Sequence, residues 1–352
     1  MSYLLGNAAI NLEMTDRVPR TEFSADNHWG LVSAATGITV SHDSPPEVRH
    51  RAAKEFRKVW DYSFIWHTAI HGGHLVGRKT YMGHGVYADG GGDYNDHVFR
   101  PFTEPEEVFA FDPWAEYGTV DEKAAAADFE HTHRLLVADT PDALSTTGIY
   151  VTCVSGLIEM FGWETLLLAA GIDPVKFGDV TDRYCGWVSQ YFRALAASNV
   201  PVVMIHDDFV WAEGAIFHPD WYRRYVFPNY RRMFTPLIES GKRIIFTSDG
   251  NFTRFIDDVA GCGVHGFCME PLTDMAYVAE KYGKTHVFIG NADTRILLGG
   301  TRDDIRREVK RCMDIGKKYP GFIMAVGNHI PPNTPVDSAL YYNECVEEMG
   351  RR

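Results

Sequence analysis

Short apolar runs alternate with longer amphipathic stretches along most of this chain, and the alternation becomes regular from about residue 140. Segments 148–152, 201–205, 243–246, 264–269, 286–289 and 322–326 each read as a β-strand, rich in β-branched or aromatic residues and bounded by polar turns. The stretches between them carry helical periodicity. In 303–315, Ile305, Val309, Cys312 and Met313 share one face, Thr301 with Asp303 and Asp304 supplies an N-terminal cap, and Gly316 a stop. Continuously apolar strands separated by helices imply a parallel sheet covered on both faces. Two earlier strands, at 17–23 and 62–66, bring the count to eight, which predicts an α/β fold: a (β/α)8 TIM barrel. The barrel is expected to be one domain spanning 1–352, with an N-terminal extension. An open doubly wound sheet is the alternative, but no GxGxxG follows any strand. Segment 84–121 opens on HGVYADGGGDYND and is too irregular for the scaffold, so it is expected to be an insertion, a lid over the barrel mouth.

Composition narrows the class. With 45% hydrophobic and 23% charged residues in 352, the chain can bury a large core. A net charge of -13 without any basic tract argues against nucleic acid as a partner. The longest apolar runs, such as 200–205, fall far short of the roughly 20 residues that span a bilayer. The start, MSYLLGNAAINLEMTDR, has no basic region ahead of an apolar one. The expectation is a cytoplasmic protein without membrane contact. Six cysteines with no CxxC pair read as buried structural thiols in a reducing compartment.

In such barrels chemistry gathers at the C-terminal strand ends. There the first strand offers Glu22, Ser24, Asp26, His28 and Trp29, and the second His67. The fourth offers His206, Asp207 and Asp208; the fifth Ser248 and Asp249; the sixth Glu270; the seventh Asn291 and Asp293; the eighth Asn328 and His329. Carboxylates, imidazoles and amides on one rim suit acid/base work or metal coordination. Asp249, His206, Asp208, Glu270 and Asn291 are the catalytic candidates. Glu22, His28, Trp29, His67, Phe209 and Trp211 are the substrate-binding candidates, with Trp66 a further ring for stacking. Each has a structural alternative. Asp249 before Gly250 is also a turn former, Glu270 before Pro271 also a helix cap, and His329 also a backbone anchor. Three successive residues, 206–208, cannot all face inward, so one of them fixes a loop. The HGGH stretch at 71–74 reads as a flexible loop.

The stretch 242–274, the run IGNADTRILLGGTRDDIRREVKRC at 289–312 and GNHIPPNTPVDSALYYNE at 327–344 resemble the uroporphyrinogen decarboxylase superfamily, which also contains corrinoid-dependent methyltransferases. The likeness covers most of the chain beyond residue 140, and PRTEF at 19–23 stands where the family's first strand would lie. Decarboxylases of the family carry Arg-Gln-Ala-Gly-Arg after that strand; here Thr21 to Trp29 contain no arginine. Thiol methyltransferases carry His-x-Cys-Gly after the fifth strand and a Cys after the eighth. Here those places hold Thr247 to Gly250 and Asn328. The resemblance therefore points to the branch that demethylates methoxylated aromatics, passing a methyl group to the cobalt of a separate corrinoid protein. That branch implies a corrinoid on a partner and zinc held by a Glu-x14-Glu-x20-His pattern. Asp293, Glu308 and His329 reproduce its spacing, with Asp in the first place. A rival ligand set on the same rim is His206, Asp249, Glu270 and His329. The family also allows a cofactor-independent decarboxylase of another carboxylated compound, and a homodimer.

Overall fold

Parallel strands β3 (Thr147–Ile149), β4 (Val202–His206), β7 (Arg243–Ser248), β8 (Gly266–Met269), β9 (Val287–Ile289) and β10 (Phe322–Ile323) form one sheet in the order β10-β9-β8-β7-β4-β3. This computed structural model describes residues 2–80 and 99–352. Strand β1 (Phe64–Ile65) pairs in parallel with β2 (Leu144–Ser145), which is separated from β3 by Thr146 alone. The expected first strand is an extended segment rather than a ladder. Ser63 N–H donates to Arg20 O at 2.8 Å, Thr21 N–H to Met324 O at 3.0 Å, and Met324 N–H to Pro19 O at 2.8 Å. Pro19 has no N–H to give, so the pairing is sparse. These bonds still join the first segment to both neighbours and close the sheet on itself: the molecule is a (β/α)8 barrel. A small antiparallel hairpin, β5 (Val210–Trp211) with β6 (Gly214–Ala215), rises from the loop after β4.

Strand periodicity of two decides what faces the barrel axis. Phe64, Leu144, Val202, Ile245, Val287 and Ile323 form an inner cluster, and Ala9 and Ile10 of the helix Ser2–Ile10 pack against it. The N-terminal extension thus closes the floor of the barrel. Alternate residues, among them Val203, Ile205, Ile244 and Phe246, face the surrounding helices; Phe246 meets Tyr230 of the helix Phe227–Glu239 with ring centroids 5.5 Å apart.

The helix predicted at 303–315 runs Arg302–Gly316, started by a capping box between Thr301 and Asp304. The helix Val154–Ile172 is long and apolar enough to cross a membrane by composition, but 67% of that window is buried in the barrel wall. Part of the expected insertion, 84–98, lies outside the described residues. Its remainder carries the short helices Pro105–Phe109 and Pro113–Tyr117, and Phe102 and Phe111 pack on Phe161 at 4.9 and 5.3 Å. All six cysteines are buried and free.

Candidate active site at the barrel mouth

The inward series Val202, Met204, His206 on β4 and Ile245, Thr247, Asp249 at β7 climb from the apolar floor into a cavity of about 240 Å³ at the C-terminal end of the barrel. Cys268, Val326, Gly327, Asn328 and His329 complete one side, and Phe23, Trp66, His67 and Thr68 the other. Among the described residues no lysine or arginine lines it. Phe23 lies edge-on to Trp66 (6.2 Å) and to His329 (4.6 Å), making an aromatic wall.

Asp249 occupies the centre of the polar side. Its side chain is open to the cavity, while the surrounding protein shields it from bulk water. That shielding, followed by the nearby Asp208 carboxylate, pushes its carboxyl up to about 8; His206 and a hydrogen bond from Asn328 oppose the rise, and Glu270 adds to it. His206 is buried and its Nε2 lies 3.1 Å from Asp208 Oδ1. Burial pulls the His206 imidazole down, but the carboxylates of Asp208, Asp249 and Asp207 together outweigh it and the net shift is upward. Asp208 also accepts the Asp249 backbone N–H at 2.9 Å and the Tyr150 hydroxyl at 3.3 Å, and the Tyr150 ring packs against His206, tilted by 34°, with ring centroids 4.5 Å apart. His67 lines the cavity with Nδ1 at 3.2 Å from Thr147 Oγ1, and burial, then His71, lowers its pKa below the ordinary histidine value. His329 Nδ1 lies 2.7 Å from Ser24 Oγ.

Asp207 is the loop-fixing member of the 206–208 triplet. Fully buried and facing away from the cavity, it accepts N–H bonds from Cys153, Val154 and Ser155 at 3.2, 3.1 and 2.7 Å, at the start of the helix Val154–Ile172, and a hydroxyl bond from Tyr230. Alternation along β4 requires this, because residues 206 and 207 point to opposite faces.

Other candidates are held elsewhere. Glu22 is buried between the first segment and the outer helix Val336–Met349, contacting Arg20 at 3.3 Å, Val326 N–H at 2.9 Å and the Tyr342 hydroxyl at 2.8 Å. His28 caps the helix Trp29–Thr36 through Leu31 N–H and lies 2.8 Å from Thr334 O; Trp29 packs on the outer core. Phe209 is buried in a ring cluster with Tyr222, Phe246 and Phe255, and Trp211 is 55% exposed on the hairpin. Both were expected to stack a substrate; the chain turns outward at Asp207 and carries them away from the axis. Asn291 is fully buried, its amide donating to Glu270 O and Thr273 O, both at 3.0 Å.

The spaced trio Asp293, Glu308, His329 is not brought together. Asp293 caps the helix Thr294–Gly299 and pairs with Arg295, while Glu308 accepts Asp293 N–H at 2.9 Å and pairs with Arg311 at 2.7 Å. Among the described residues, the one group of three His, Cys, Asp or Glu side chains with ligand atoms within 4.8 Å of one another is His206, Asp208 and Asp249. One nitrogen and two oxygens suit a divalent ion such as zinc. Tyr150 and Phe23 were not anticipated as site residues; both end strands of the barrel, and knowing the inward register would have found them.

A parallel barrel with acid, imidazole and aromatic groups converging on its C-terminal mouth is the architecture of an enzyme. Residues 119–349 match the family described as uroporphyrinogen decarboxylase (URO-D), and the chain belongs to that family. It is 28% identical over 176 residues to the uroporphyrinogen decarboxylase of Syntrophotalea carbinolica, covering 50% of each chain. It is 30% identical over 163 residues to that of Thermus thermophilus, covering 46% of each. The chain spans about half the length of the curated relatives it matches. A solved structure described as a methyltransferase from Methanosarcina mazei superposes with a TM-score of 0.65 at 15% identity, over 99% of this chain and 98% of that one, which is a likeness of fold.

Proposed function

We propose that the protein removes a methyl group from a small methoxylated aromatic, or a similar neutral methyl donor, and delivers it to a corrinoid protein. The observation that carries this reading is the pairing of an aromatic-walled cavity that no lysine or arginine lines, among the described residues, with a carboxyl, Asp249, that still holds its proton near neutrality. A polycarboxylate such as a porphyrinogen would meet no lysine or arginine there to offset its charge. An aryl methyl ether needs a ring-shaped slot and a proton for its oxygen, because phenolate is a poor leaving group.

Phe23 and Trp66 would hold the ring. Asp249 would donate its proton to the ether oxygen as the methyl carbon–oxygen bond breaks, and His206, paired with Asp208, would stabilise the resulting Asp249 carboxylate. A corrinoid on the partner would supply cobalt(I) as the acceptor of the methyl group, and the protonated oxygen would leave as a phenol. Zinc at His206, Asp208 and Asp249 would instead polarise the ether oxygen as a Lewis acid. Because the curated relatives are decarboxylases, the second reading is a cofactor-independent decarboxylation with Asp249 as proton donor.

Incubating the purified protein with methoxyarenes, methanol or methylamines and chemically reduced cobalamin tests the choice. Formation of methylcobalamin with a methoxyarene is expected. No transfer from any donor, or carbon dioxide release from a carboxylated donor without corrinoid, would overturn the proposal. Elemental analysis of the same preparation reports zinc.

A further inference from the structure

Glu270, at the end of β8, does not line the cavity, yet it is bonded to both of the loops that do. Its Oε2 accepts the Gly250 N–H at 2.6 Å, immediately after Asp249, and its Oε1 accepts the side-chain amide of Asn328. The backbone on either side of these bonds is constrained as well. Gly250 has φ 78°, and a Cβ there would meet Trp211 O at 2.6 Å, so only glycine fits and the turn has one path. Thr273 accepts Phe252 N–H at 3.1 Å and donates to Gly250 O at 3.0 Å. Asn291 holds Glu270's own carbonyl. Gly327 lies against Glu270 with no room for a side chain, a Cβ there falling 2.8 Å from Glu270 Cα.

We infer that Glu270 is a positioning residue: a carboxylate clamp outside the cavity that locks the Asp249–Gly250 turn of β7 to the Asn328 loop after β10 and so sets where the Asp249 carboxyl points. This inference rests on the reading of Asp249 as the proton donor. The clamp joins strands that are not adjacent, since β8 and β9 separate β7 from β10. It adds to the hydrogen bond that Asn328 itself gives the Asp249 carboxyl.

The test uses the full-length protein with Glu270→Gln and Glu270→Ala, each confirmed as folded by its thermal midpoint. The first keeps side-chain length; the second removes both grips. Amide hydrogen exchange read by mass spectrometry follows the backbone of the 247–252 turn, where Glu270 holds the Gly250 N–H. In Glu270→Ala that turn is expected to exchange about tenfold faster than in the wild type while peptides far from the site keep their wild-type rates, and Glu270→Gln is expected to lie between. In the methyl-transfer assay kcat is expected to fall about tenfold, a part of the 10²–10⁴ that a positioned acid supplies, while KM stays within about threefold. Wild-type exchange of the turn in folded Glu270→Ala would overturn the inference, as would wild-type kcat in that variant. If the wild type transfers no methyl group yet the turn exchanges faster in Glu270→Ala, the proposed reaction fails and the clamp stands.

Discussion

Replacing Asp249 with Asn separates a proton from a metal at the centre of the cavity. With the carboxyl titrating at about 8, it is about 90% protonated at pH 7 and about 10% at pH 9. A general acid must carry its proton, so the rate of demethylation should be flat below about pH 7 and fall about tenfold for each pH unit above 8. A carboxylate serving as a zinc ligand must lose it, and the rate would then rise through the same range. Asn keeps the shape but has no acidic proton, so kcat should drop about 10²–10⁴-fold, or roughly 3–5 kcal/mol of barrier. The assay is methylcobalamin formation from a methoxyarene between pH 6 and pH 9. Stability offers a check that needs no substrate. The folded midpoint lies above the ordinary aspartate value of 3.8, so the folded protein binds the extra proton and loses stability as pH rises from about 4 to about 8. Asp249→Asn removes that dependence, and its denaturation midpoint should vary less with pH across the interval. A variant within threefold of wild type, or a wild-type profile that climbs through pH 8, would refute the acid role.

Two further substitutions distinguish the cavity from its supports. Glu22→Gln leaves Arg20 buried without its counter-charge, and removal of one partner from such a pair costs about 3–5 kcal/mol; urea denaturation should register much of that loss, while KM for the donor stays unchanged. Trp66→Ala removes one ring of the cavity wall, and KM for a methoxyarene should rise about tenfold with a smaller change in kcat, whereas equal losses in both would place Trp66 elsewhere in the reaction.

Much of the barrel was legible in the chain because burial on both faces leaves an unmistakable pattern. The six strands of the main sheet, β3, β4 and β7 to β10, fall within or beside the predicted apolar runs, while the hairpin β5–β6 was not predicted, and the helix Arg302–Gly316 is capped by Thr301 as its Thr-Arg-Asp-Asp start implies. The first strand was less secure, since Pro19 and short polar neighbours let it pair only at isolated points. At the site, residues that end inward series were found from sequence, as with His206 and Asp249. Glu22, His28 and Asn291 lie near strand ends too, but their side chains turn into the wall, where hydrogen bonds hold them.

Sequence alone therefore determined the strand and helix pattern, the parallel sheet and the set of polar residues at one end of it, because local periodicity and burial act over neighbouring positions. Tertiary structure decided which of those residues share a cavity. Strand register and barrel closure set Asp249 beside His206 and Asp208, and Glu270 between Gly250 and Asn328. Spacing in the chain cannot encode such meetings: Asp293, Glu308 and His329 keep a suggestive interval, but capping and ion pairs at the edge of the barrel hold the two acids on other partners.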